Sequence, residues 1–160
     1  MQTIQLETKI AAPPDLCFLL SLSIDLHLES TAQTSERAVA GVTSGLIGAG
    51  ETVTWQGRHF GFILRHTSII SGYSRPTFFQ DSMTKGMFKS FEHDHHFAEI
   101  DGGTLMRDEL RFESPFQPLG TLVDQLILKN YFTKFLTERN AVIKHAAGHE
   151  DWRRFIPEGV

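Results

Sequence analysis

The 160-residue sequence predicts an α+β fold in which a curved antiparallel sheet wraps around a long C-terminal helix, with two short helices after the first strand. Three observations carry this expectation. Period-two alternation of apolar and polar residues recurs up to Glu113, clusters of turn-forming glycine and proline separate the runs, and after Pro118 the period changes to about 3.6. No composition shift or internal repeat divides the chain, so residues 1–160 are expected to form one domain.

Ile4, Leu6, Thr8 and Ile10 share one side of the first alternating run, which reads as a half-buried strand. Pro13 and Pro14 stop it and open a helix that DLCFLLSLS continues, and a second short helix is expected from Ile24 to Ser30. The segment GVTSGLIGAG, residues 41–50, holds too many glycines for a helix or a central strand. It reads as a turn or equally as a mobile lid. ETVTWQ then begins the second strand, with Glu51, Val53 and Trp55 alternating inward. Four further runs, residues 59–70, 77–83, 88–100 and 104–113, form an antiparallel meander in which Gly61 marks a bulge. RHFGFILRH is apolar on both sides, which leaves room for a homodimer through one face. Leu119, Leu122, Val123, Leu126, Ile127, Tyr131, Phe135 and Val142 then fall on one stripe of a helix spanning roughly 119–147.

Composition narrows the function. With 41% apolar residues and 13 Phe, the chain is globular and has an aromatic interior, which implies a wide core or a cavity. A net charge of -4, with no dense run of Lys and Arg, argues against nucleic acid as a partner. The single Cys17 can form no intrachain disulfide and reads as a small buried apolar residue. Neither a basic leader nor a membrane-length apolar run is visible, so a cytoplasmic protein without stable membrane insertion is expected.

Five segments in this order, IAAPPDLCFLL, GAGETVTWQGRHFG, GMFKSFEHDHHF, GGTLMRDEL and LILKNYF, resemble the helix-grip superfamily called SRPBCC. The resemblance covers nearly the whole chain, and within that superfamily it is strongest to small bacterial stand-alone proteins. The superfamily holds START lipid-transfer domains, birch-pollen-allergen-like plant proteins and polyketide cyclase/dehydrase proteins. It therefore implies the helix-grip fold and a hydrophobic cavity between sheet and terminal helix, without fixing one reaction.

The run FEHDHHFAEIDGG places Phe91, His93, His95 and Phe97 on one strand face, and Ser90, Glu92, Asp94 and His96 on the other. On the next strand Met106, Asp108, Leu110 and Phe112 share a face. A two-residue Asp101-Gly102 turn pairs Ile100 with Gly103, setting His95 opposite Asp108, Phe97 opposite Met106 and His93 opposite Leu110. A Gly102-Gly103 turn instead sets Asp108 opposite Phe97, one diagonal step from His95. In either register an inward acid lies beside an inward imidazole.

Such a group suits the polar end of an apolar cavity, orienting a ligand hydroxyl, carbonyl or carboxylate. It equally suits an internal hydrogen-bonded network, because a buried acid needs partners with or without a ligand. His93, His95 and Glu99 have the spacing of a cupin-type first metal motif, but no second segment completes it. No metal and no cofactor are therefore expected. The ligand-binding candidates are Trp55, Phe91, His93, His95, Phe97, Met106, Asp108, Phe112 and Tyr131.

The expected function is binding of a small to medium hydrophobic molecule, lipid-like, aromatic or polyketide-derived. A cyclase/dehydrase-like enzyme using His95 and Asp108 as an acid-base pair is the alternative. A regulatory or co-chaperone-like interaction domain is the third reading, and it would show a tightly filled interior with an exposed apolar patch.

Overall fold

A computed structural model describes residues 1–115 and 122–160. Strand β1 (Gln2–Ile10) leads into helices α1 (Pro14–Ser21) and α2 (Ile24–Ser30). Strands β2 (Arg37–Gly41), β3 (Thr52–His59), β4 (Phe62–Ser74), β5 (Phe78–Lys85), β6 (Ser90–Ile100) and β7 (Gly103–Glu113) follow. A π-helical turn, Asp124–Leu128, then runs into the long helix α3 (Lys129–Gly148). Among the described residues the strands form one antiparallel sheet in the order β1-β7-β6-β5-β4-β3-β2. Helix α3 packs on β1, α1 and α2.

Local chemistry explains the α1–α2 corner. Pro14 occupies the first turn of α1, where a missing N–H costs nothing. The Ser23 side chain accepts from Leu26 N at 3.3 Å and caps α2. Phe18, fully buried on α1, meets Phe79 and Phe97 edge-on at 5.6 Å each and so seals one end of the sheet's inner face. Cys17 is also fully buried there, as expected of a small apolar residue.

Four features depart from the sequence expectation. Strand β2 precedes the expected second strand; its residues are mostly exposed, so this short edge carries no hydrophobic alternation. The expected run 59–70 is divided between β3 and β4. Phe60 (φ 52) and Gly61 (φ 83) form the two-residue hairpin turn, because both central positions of such a turn need positive φ, so Gly61 is no bulge. The 41–50 segment is tied down rather than free: Gly45 N donates to Asp25 Oδ2 at 2.8 Å, Ile47 N to Leu22 O at 3.1 Å and Gly50 N to Ile70 O at 2.9 Å.

The fourth departure is the apolar stripe. Leu122, Val123, Leu126 and Ile127 are exposed, whereas Leu136, Asn140, Ile143 and Ala147 make the buried face of α3. The π-helical turn admits an extra residue and shifts the phase of everything before it, turning Asp124 inward in place of its apolar neighbours. Ser114 N donates to the buried Asp124 Oδ2 at 3.0 Å, and the two side chains are also hydrogen-bonded. Leu119, placed on the same stripe by its spacing, lies outside the described residues.

Gly41 has φ 75, and a Cβ there would sit 2.0 Å from the carbonyl oxygen of Thr52 that accepts the Val42 N–H. Gly41→Ala is expected to destabilise the fold by roughly 1–3 kcal/mol. Urea denaturation should show a lower midpoint with an unchanged slope.

Candidate functional site

The Asp101-Gly102 turn forms as the sequence suggested, and the β6–β7 register pairs His95 with Asp108, His93 with Leu110 and Phe97 with Met106. On the other side of β6, β5 brings Asp81 opposite His93 and Phe79 opposite His95. The His95 ring stacks on Phe79 at 4.1 Å and lies 3.8 Å from the His93 ring. Two carboxylates bracket the imidazoles. Asp108 Oδ1 is 3.0 Å from His93 Nε2 and 3.0 Å from His95 Nδ1, while Asp81 Oδ2 is 3.1 Å from His95 Nε2 and 3.9 Å from His93 Nδ1.

Helix α3 completes the group. Asn140 Nδ2 donates to Asp108 Oδ2 at 2.7 Å, and the Arg139 guanidinium lies 3.6 Å from Asp108 Oδ1. Burial opposes ionisation of Asp108, yet the hydrogen bonds from His93 and His95 outweigh it and hold the carboxyl well below its usual range. The same competition brings Asp81 to about 2, with the His95 hydrogen bond opposing the burial. Burial is the larger effect on His93 and pushes its pKa down, favouring the neutral ring.

These groups floor a cavity of about 850 Å³ whose walls are mainly aromatic and aliphatic. Trp55, Phe91, His93, His95 and Tyr131 line it as the sequence reading proposed. Four expected lining residues do not. Phe97 and Met106 lie under α1 in the filled end of the core, where Phe97 touches Phe18 and Met106 Sδ accepts from Ser21 Oγ at 3.8 Å. Phe112 is sealed between Phe88 and Phe132, in a cluster with Ile4 and Leu136. Asp108 sits behind the imidazoles with its side chain fully buried, so it positions them and has no cavity face. Glu99, the carboxylate suggested by metal-like spacing, is exposed at the far end of β6 opposite Thr104.

A second polar station stands elsewhere on the wall. His27 Nε2 is 2.8 Å from Glu36 Oε2, His59 Nε2 is 3.2 Å from Glu36 Oε1, and the Tyr131 hydroxyl is 2.6 Å from His59 Nδ1. His27 also stacks on Trp55 at 4.1 Å. Around the mouth, Phe60, Phe62, Ile63, Met87 and Val123 are exposed apolar lining residues.

Sequence reasoning missed Asp81, Glu36, Arg139 and Asn140. Asp81 alternates with Phe79 and Met83, but a two-residue turn closed by Lys85 and Phe88 would have set it opposite Glu92; the longer connection between Lys85 and Ser90 shifts the register by one and carries it to His93. Glu36 lies between helix and edge strand, where no periodicity exists, and Arg139 and Asn140 were hidden by the misplaced stripe.

Burial raises the Glu36 pKa, but hydrogen bonds with His27 and then His59 outweigh it and bring it from 4.5 to about 2. A depressed carboxylate contributes stability that is fully present above the unfolded value and lost as pH falls through the folded one. Denaturation measured from pH 5 to pH 2 should therefore show a loss of roughly 3 kcal/mol attributable to Glu36. Glu36→Gln is expected to flatten that limb and lower stability at neutral pH; an unchanged acid limb would contradict the assignment.

No protein-family model and no curated protein matches the chain. Solved structures do. Protein TTHA0849 of Thermus thermophilus has a TM-score of 0.71 at 17% identity over 91% of this chain and 99% of its own. Ginseng major latex-like protein 151 from Panax ginseng has a TM-score of 0.67 at 14% identity over 91% and 97%. Ara h 8.0201 has a TM-score of 0.60 at 16% identity over 89% and 97%. At these identities the likeness concerns architecture, and with the curved seven-stranded sheet, the paired short helices and the long terminal helix it establishes that this chain has the helix-grip fold.

Proposed function

We propose that the protein binds a small to medium hydrophobic molecule in the cavity between the sheet and α3, with a polar group of that molecule held at His93, His95 and Asp81. The observation that carries this reading is the cavity itself. Folded interiors normally close to near-crystalline density, with few voids larger than a water molecule. About 850 Å³ is in the range of small-molecule sites, and a mostly apolar wall with a few convergent polar groups matches their usual chemistry.

The wall narrows the ligand class. Trp55, Phe88, Phe91 and Phe132 offer ring faces and edges, which favours an aromatic, polycyclic or polyketide-derived occupant over a purely aliphatic one. The open interior also disfavours an interaction domain, for which a filled core was expected. An enzyme of the cyclase/dehydrase kind would use the same cavity, with His95 and Asp81 as the pair facing the reactive carbon chain and Asp108 behind them.

Trp55 lines the cavity, whereas Trp152 packs outside it. Titration with a fluorescent polycyclic probe in EDTA-containing buffer should quench tryptophan emission in the wild type and in Trp152→Phe, but not in Trp55→Phe. His95→Ala is expected to change probe affinity by no more than about tenfold, the value of one neutral hydrogen bond. Absence of a thermal shift across a broad panel of aromatic and lipid-like compounds would count against the reading.

A further inference from the structure

The floor of the cavity holds more acceptors than protons. Each of two carboxylate oxygens, Asp108 Oδ1 and Asp81 Oδ2, faces one nitrogen of His93 and one of His95. A neutral imidazole carries one N–H, so two neutral rings bring two protons to four nitrogen–oxygen contacts. Asp108 has further donors, since Asn140 bonds it and the Arg139 guanidinium balances its charge. Among the described residues no Lys or Arg pairs with Asp81, whose side chain remains 24% exposed to the cavity.

With the ring protons on the Asp108 side, His93 Nδ1, His95 Nε2 and Asp81 Oδ2 become three lone-pair donors, the two nitrogens 3.9 and 3.1 Å from the carboxylate oxygen. One donor atom from each of Asp81, His93 and His95 lies within 4.8 Å of the other two. Tetrahedral bonds of about 2.0–2.1 Å set donor atoms roughly 3.3 Å apart, and the observed 3.1 and 3.9 Å bracket that spacing. The opposite proton placement leaves bare ring nitrogens against the Asp108 carboxylate. For His95 the aligned hydrogen bond runs from Nε2 to Asp81 Oδ2, while the fully buried Nδ1 has none although Asp108 Oδ1 is 3.0 Å away, so metal binding at Nε2 would move the His95 ring proton to Nδ1, where Asp108 can accept it.

We propose that Asp81, His93 and His95 bind one divalent transition-metal ion, zinc or a first-row ion of similar size, with an open coordination position facing the cavity. Two imidazoles and a carboxylate suit such ions, and three protein ligands with one open position mark a site that can take water or an oxygen donor. Asp108, hydrogen-bonded to His93 and 3.0 Å from His95 Nδ1, is the outer carboxylate, the arrangement that commonly supports metal-bound histidines. The identity of an organic fourth ligand rests on the cavity-binding reading; binding of the metal does not.

The test uses the full chain stripped with EDTA. Calorimetric titration with zinc chloride should show one ion per chain, and cobalt(II) should give the visible absorption bands of a low-coordinate site. Asp81→Asn and His95→Ala are expected to weaken zinc binding at least about 100-fold, and Asp108→Asn about 10–100-fold. The exposed rings of His145 and His149 lie 4.3 Å apart and could hold zinc adventitiously, so His149→Ala should leave the binding unchanged. Circular dichroism verifies each fold; should His95→Ala unfold, the partly exposed Asp81→Asn carries the comparison. Failure of the folded wild type to bind zinc, or binding that survives Asp81→Asn, overturns the proposal. Probe binding in EDTA is unaffected by that failure, so the two readings fall separately.

Discussion

The structure depends on a buried carboxylate. Asp108 lies in the middle of β7 with its side chain shut off from solvent, where an unpaired charge would cost several kcal/mol. Its partners come from two directions: His93 and His95 on β6, and Asn140 and Arg139 on α3. Asn140 also reaches Thr8 Oγ1 on β1 at 3.2 Å, and Arg139 donates to Ser21 O at the end of α1 at 3.3 Å. One anion thus fixes the rotation and height of the terminal helix on the sheet. Apolar packing alone, which is non-directional, would leave helix register weakly specified.

That fixed helix explains how a cavity persists. On one side of the Asp108 network, α1 lowers Phe18 onto Phe79 and Phe97 and the core is filled. On the other side, the π-helical turn rotates Leu122, Leu126 and Ile127 outward, so the apolar groups that would have filled the space face away from it. The wall is then left to rigid aromatic rings, with polar stations at Glu36 and Asp81. Stiff aromatic side chains around these stations resist collapse.

Sheet architecture was legible in the sequence because alternation and turn chemistry are local. Turn chemistry left two β6–β7 registers, of which the Asp101-Gly102 one forms, and both placed Asp108 beside His95. What was hidden required information from a third element. Inward direction on β6 and β7 was correctly read, yet inward at Phe97 and Met106 means beneath α1, whereas inward at Phe91 and His93 means into the cavity. No strand pattern carries that distinction. The phase of α3 was misread because a π-turn leaves no mark in hydrophobic spacing. Asp81 escaped for a different reason: its strand was recognised but its register with β6 was left unassigned.

The central claim is that Asp108 orients both imidazoles and leaves their other nitrogens toward Asp81 and the cavity. Long-range proton–nitrogen NMR of the histidine rings, on the EDTA-treated protein at neutral pH, tests this most directly by locating each ring proton. The account predicts a neutral His93 protonated at Nε2 with a bare Nδ1, and loss of that preference in Asp108→Asn. A His93 ring protonated at Nδ1, or one whose proton position ignores the Asp108 substitution, would contradict it.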